Sequence, residues 1–236
     1  MDQAQILNLS SARAKKARLS VLFDKKWLRM ALVLCAGLSL VSGSTLLFIG
    51  ENIGYLLLAC ASWVSVPVLW YHGELKDLPA TAQLEAVAPL DAVLERTLLG
   101  RLPRNLNPQS LATSVMKTPG GIFYANRYAI SLDFIKTVLG NQPADLATIW
   151  AKAVQLSVTV PGETRVTDTA VAAALILSAP NASFYLSQLQ LDEDDIISGL
   201  LWRSHIRGVF EKLRSQKHSG GLGRDFSFGW APLLNR

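Results

Sequence analysis

Three histidines, two cysteines and one acidic quartet are the side chains of this 236-residue chain with the chemistry to hold a metal, attack a carbonyl or move a proton. His72, His205 and His218 stand far apart, with no cysteine or second histidine at ligand spacing, so a zinc site is not expected. No nucleophile elbow accompanies any of them, which argues against a serine triad. The run Asp192, Glu193, Asp194, Asp195 lacks the glycine and closing glutamate of a calcium loop. It is better explained as negative charge at the positive end of a helix dipole. Gly220, Gly221 and Gly223 follow a helical pattern rather than a strand, and no lysine stands at phosphate-loop spacing after them. They read as a flexible linker. These patterns predict no catalytic residue, no metal and no cofactor.

The elements that would carry any function divide sharply by composition. Half of the residues are hydrophobic and only 17% are charged, against about 25% in ordinary soluble domains. The excess sits in residues 30–49 and 55–71, neither of which contains a charge. As helices they would reach roughly 30 Å and roughly 25 Å, a full and a slightly short bilayer span. Only the sequence GENIG separates them, so they read as a helical hairpin. A buried helix pair of a soluble protein would seldom lack charges over this length. Pro67 is expected to kink or break the second span, which leaves a re-entrant loop as an alternative. Cys35 and Cys60 fall in the two runs at depths differing by about 16 Å, so they cannot pair and read as small apolar packing residues.

Charge then orients the hairpin. Arg13, Lys15, Lys16, Arg18, Lys25, Lys26 and Arg29 precede it with only Asp2 and Asp24, a balance equal to the net charge of +5. The remainder carries 16 basic and 16 acidic residues, so the basic character gives no argument for nucleic-acid binding. Basic flanks stay on the cytoplasmic side, and the loop carries only Glu51, which places both chain ends in the cytoplasm. A signal peptide is a poor fit, because the apolar run is too long and a second span follows at once. The stretch 6–23 reads either as an amphipathic segment on the anionic inner leaflet or as a disordered positive tail.

Beyond the hairpin the chain repeats itself. LNPQSLATSVMK at 106–117 lies over VTDTAVAAALIL at 166–177 at an offset of 60, and Phe123, Tyr124 recur as Phe184, Tyr185 at an offset of 61. Ile130 lies over Leu191 and Ile135 over Ile196. Two copies of one supersecondary unit, each covering the apolar face of the other, predict a compact pseudo-symmetric domain. Asn107 with Pro108 and Thr167 with Asp168 open corresponding helices. Asp192 opens a long amphipathic helix reaching about Ser215. Residues 154–160 alternate as a strand would, but read as the end of a helix. The four repeated aromatics are expected to pack within the core or between the repeats.

The twin openings LNPQSLA and VTDTAVA, followed by RYAISLD at 127–133 and LQLDEDD at 189–195, resemble the amino-terminal repeat domain of Clp-type unfoldases of the ClpA/ClpC kind. The tail GGLGRDFSFGWAPLLNR resembles the linker that leads into their first ATPase module. The resemblance, which covers roughly 89–236, implies an all-α, pseudo-two-fold eight-helix Clp N-type repeat domain (89–217) followed by a Gly-rich linker (218–236); the basic cytoplasmic tail (1–29), the transmembrane hairpin (30–71) and the linker (72–88) are read from composition and charge and are not part of the usual family pattern. The resemblance implies a recognition domain, not an enzyme, and the hairpin adds attachment to the bacterial inner membrane. Its partners would be substrate proteins or adaptors, the lipid bilayer and a Clp-type ATPase in cis or in trans, with no nucleic acid. Candidate partner-binding residues by family position are Gln109, Ser110, Thr169 and Ala170. In the family a Glu-His pair stands there, and its glutamate helps read phosphorylated arginine; neither Gln109 nor Thr169 supplies that charge, so weak or no phosphoarginine binding is expected. The rival reading is a stand-alone membrane-tethered interaction or scaffolding module. A reporter fused after Arg236 should be active on the cytoplasmic side and one inserted at Asn52 on the outer side; cytoplasmic labelling of the loop would refute the hairpin.

Overall fold

A computed structural model describes residues 7–76, 78–82, 84, 89–141 and 145–218. Among these the chain is helical, with no strand beyond a single bridge between Leu94 and Val166. Helices α2 (Lys26–Ile49) and α3 (Ile53–Trp70) form a hairpin, and α3 continues through a π-helical turn, Tyr71–Leu75. Both are long and apolar enough to cross a membrane. Gly50 closes α2 in the left-handed conformation at φ 90°, open to glycine without a Cβ penalty. The two helices touch most closely at Gly43 and Gly54, where a Cβ on Gly54 would stand 2.6 Å from the Gly43 carbonyl oxygen. Close backbone approach of this kind is how helices associate without a hydrophobic driving force. Pro67 does not break α3, since helical bonding continues past it to Leu75. The second apolar segment is therefore longer than the sequence pattern indicates. Cys35 and Cys60 are free and exposed, so they face outward from the hairpin rather than packing within it.

The N-terminal stretch departs from the expected tail. Residues Ala12–Phe23 form α1, capped by Ser11, whose Oγ accepts from Ala14 N–H at 3.2 Å. Ala14, Ala17 and Ser20 recur every three residues and are fully buried against α5 (Arg96–Arg101). The approach is close enough that a Cβ on Gly100 would lie 2.5 Å from the Ala17 carbonyl oxygen. Arg13 is buried too, and its guanidinium donates to the carbonyls of Pro79 (3.1 Å), Asp91 and Leu94 (2.8 Å). Five fixed donors let one arginine satisfy several carbonyls at once. Basic charge is thus spent on docking rather than left in solvent.

The same face of α1 meets the foot of the hairpin. Asp24 accepts from Arg96 Nη1 at 3.0 Å and from the Tyr71 hydroxyl at 2.6 Å. Arg96 also donates to Ser20 Oγ at 2.9 Å, Arg29 lies over the Tyr71 ring at 4.9 Å, and Lys16 pairs with Glu74 at 2.7 Å.

The remaining helices are α4 (Leu90–Val93), α6 (Pro108–Val115), α7 (Pro119–Tyr128), α8 (Leu132–Asn141), α9 (Leu146–Thr159), α10 (Asp168–Leu177), α11 (Ala182–Gln188) and α12 (Glu193–His218). Residues 154–160 are helical to Thr159, as read from the Pro-Gly turn after them. The sequence offsets reappear in the backbone. Asn107 and Thr167 each cap with a side-chain oxygen that accepts the N–H three residues on, at 2.7 Å and 3.1 Å. Ala129 and Gln190 both take the left-handed conformation, and Ser131 and Asp192 then cap α8 and α12. At the centre lies α10, buried from Asp168 to Ile176 and packed against α6, α7, α9, α11 and α12. Its alanines 170, 172, 173 and 174 let five neighbours approach one helix.

If Arg13 is what holds α1 to the domain, Arg13→Met strands three carbonyls that took charge-assisted bonds, at a cost of about 3 kcal/mol. Hydrogen exchange in Ala12–Phe23 should accelerate while exchange in α10 stays slow. Unchanged protection of α1 would show that its alanines alone hold it.

Candidate functional site

The two helix openings matched by sequence end in different environments. Gln109 is exposed at the start of α6, while Ser110 is half-buried and engaged in a capping box with Asn107, whose N–H it accepts at 2.9 Å. Thr169 and Ala170 are 3% and 1% exposed. The start of α7 covers them: a Cβ on Gly120 would stand 2.5 Å from the Thr169 backbone nitrogen. The physical reason is composition. Helix α6 has a polar face of Gln109, Ser110, Thr113 and Ser114 to show to water, whereas α10 after Thr169 is entirely apolar. Thr169 and Ala170 are therefore covered, while Gln109 and part of Ser110 are accessible.

What surrounds the α10 opening is a buried charged network that the sequence reading missed. The Asp168 carboxylate accepts from Gly120 N–H at 2.7 Å and Thr169 Oγ1 at 3.2 Å, and Asp168 N–H donates to Glu95 Oε2 at 3.3 Å. Arg207 of α12 reaches Glu95 at 3.5 Å and also binds Glu163, which lies 3.7 Å from Arg165. Burial pushes the Glu95 carboxyl above its usual range, and the nearby Asp168 charge adds to the rise while Arg207 opposes it. Burial raises Glu163 as well, against the pull of Arg207 and Arg165. Five elements are cross-linked here: α5, α7, the 163–165 turn, α10 and α12. One signal for it was present, because Arg207 continues the core-facing series of Ile196 and Leu200 at helical spacing. Among the described residues no group of His, Cys, Asp or Glu is arranged to hold a metal. The network binds its own members and acts as a clasp.

A second feature lies between the halves of the sequence duplication. Phe134 and Val138 of α8, Leu175 and Ile176 of α10, and Tyr185 of α11 pack around a small, almost wholly apolar cleft with room for little more than one water molecule. Phe134 and Tyr185 meet edge to face with centroids 6.2 Å apart. The repeated aromatics do not share one fate. Tyr124 is fully buried and donates to the Ile196 carbonyl at 2.9 Å, Phe123 stacks on Trp202 at 5.6 Å, and Phe184 beside the cleft is 59% exposed. Three pack as expected, and Phe184 does not. Comparison with protein-family models, with characterised proteins and with solved structures finds no match to this chain.

The clasp makes a signed prediction. A raised Glu95 means that the folded protein holds this proton more tightly than the unfolded chain. Its contribution to stability is then greatest below the ordinary value near 4.5 and declines as pH rises through the raised folded value. Glu95→Gln, neutral throughout, should gain Tm relative to the parent as pH increases over that window. A Tm difference that stays constant with pH would show that Glu95 titrates normally.

Proposed function

We propose that this chain is a membrane-anchored recognition module of a Clp-type ATP-dependent unfoldase or protease system. The hairpin anchors it in the bacterial cytoplasmic membrane with the helical domain in the cytoplasm, and the domain presents substrate proteins or adaptors to an ATPase acting in cis or in trans. The observation that carries this reading is the exposed Phe184, 59% accessible at the repeat position whose counterpart Phe123 is packed on Trp202, an aromatic side chain of the kind that anchors a bound peptide without any reacting group. The resemblance of the twin openings and the matched caps and left-handed turns at offsets of 60 and 61 support a pseudo-two-fold Clp N-type arrangement. The scaffolding alternative draws on one observation: the second opening, Thr169 and Ala170, is closed beneath Gly120.

The test uses the full chain in lipid nanodiscs with the Clp-type ATPase of the same cell. The parent should bind it or deliver a captured protein for ATP-dependent degradation. Phe184→Ala should weaken capture about tenfold, the size of losing one buried aromatic contact, with Tm unchanged because the side chain is exposed in the free domain. Capture that is undisturbed by this change, or that never couples to ATP hydrolysis, favours the scaffold.

A further inference from the structure

Beyond Arg207, α12 carries an apolar face that the domain does not cover. Val209, Phe210 and Leu213 are 43%, 66% and 56% exposed, and Leu201 and Trp202 nearer the core are 40% and 47% exposed. At helical spacing Trp202, Ile206, Val209, Phe210 and Leu213 form one stripe about 100° wide. Its near end is fixed in place, because the Trp202 ring stacks on Phe123 and lies under Arg127 at 4.9 Å. By sequence the stripe is bordered by Arg203 on one side and by the exposed Lys212 on the other, and, apart from Arg207 in the clasp, residues 203–218 hold four basic residues against the single acid Glu211.

We propose that this stripe lies on the anionic surface of the bilayer in which the hairpin is anchored, holding the domain at a set angle to the membrane. The inference rests on the reading of α2 and α3 as membrane-spanning. Two observations select this occupant. An apolar stripe with basic borders is the pattern of helices that sink into the headgroup layer while lysine and arginine reach outward to lipid phosphates. A second copy docking through the same face would bring these basic borders against each other. The stripe is also tied to the hairpin through a short chain of contacts: Arg207 pairs with Glu95, and the adjacent Arg96 pairs with Asp24, two residues before α2 begins. The exposed face therefore lies on a helix that is linked to the foot of the membrane anchor. Its lipid would be an anionic phospholipid, read by charge and interfacial depth rather than by headgroup shape.

The experiment places a single environment-sensitive fluorophore at Phe210→Cys in the full chain, with Cys35→Ser and Cys60→Ser, in nanodiscs containing headgroup-labelled nitroxide lipid. The control is Asn105→Cys, in the exposed turn before α6. With phosphatidylglycerol present, quenching at 210 should exceed that at 105 several-fold, and in pure phosphatidylcholine the excess should shrink. Lys212→Gln and Arg203→Gln should each reduce the anionic-lipid preference about fivefold, the effect of one basic residue near such a surface. Equal quenching at 210 and 105, or 210-to-210 disulfide cross-linking between copies, would overturn the proposal. If Phe210→Cys perturbs folding, Leu213→Cys repeats the measurement on the same stripe. A label on native Cys60 with deep-chain nitroxide lipid tests the span separately, so failure of the anchor and failure of the stripe give different results.

Discussion

The burial of α10 is the constraint on which the domain depends. Nine consecutive residues from Asp168 to Ile176 are removed from solvent, so this helix has no face to give to water and must be covered on every side. Its alanines make that possible by letting α6, α7, α9, α11 and α12 approach closely. Its amino terminus makes it demanding. The first N–H groups of a helix lack intrahelical acceptors, and here they are buried with the Asp168 carboxylate. Thr167 caps one of them, Glu95 accepts the Asp168 N–H, and Gly120 donates to Asp168 because only a glycine fits against Thr169. The charge left on Glu95 then calls for Arg207, and Arg207 holds Glu163. The clasp is a consequence of burying one helix end, since buried charges persist only when paired and hydrogen-bonded.

The second dependence is mechanical. Helix α1 stands between the domain and the hairpin and bonds to both. Arg13 ties it to the carbonyls of the 79–94 stretch, and Asp24 gathers Arg96 from the domain and Tyr71 from the end of the long apolar helix. A flexible tether would leave the domain free to tumble above a membrane. These contacts instead give the domain a fixed attitude to its anchor, and the exposed face of α12 inherits that attitude through Arg207, Glu95 and Arg96. The direction in which the domain faces is thereby set by the hairpin.

Much of the architecture was legible in the chain. The charge-free runs, the Asn107-Pro108 and Thr167-Asp168 caps, the start of the last helix after Asp192 and the helical end of residues 154–160 all follow from local physics: hydrophobic period, capping chemistry and turn residues. The site was less legible. Equal positions in a duplicated sequence suggested equal exposure for Gln109 and Thr169, yet the first faces water and the second is sealed. Helix α6 has a polar face and α10 beyond its first turn has none, a difference visible in composition that the alignment of the two copies obscured.

By itself the sequence determined the helical class, the two long apolar helices, the duplication and the absence of any local catalytic motif, because each depends on residues close together in the chain. Only the tertiary structure decided that the basic N-terminal stretch is a docked helix and that Pro67 leaves its helix unbroken. It also decided that Glu95, Glu163, Asp168 and Arg207 meet. The physical reason is separation along the chain. The sequence shows that Arg13 is a cation, but not that carbonyls 66 to 81 residues away will receive its protons. A long-range contact is selected by the packing of the helices between its partners, and that packing is settled only when the whole domain closes around α10.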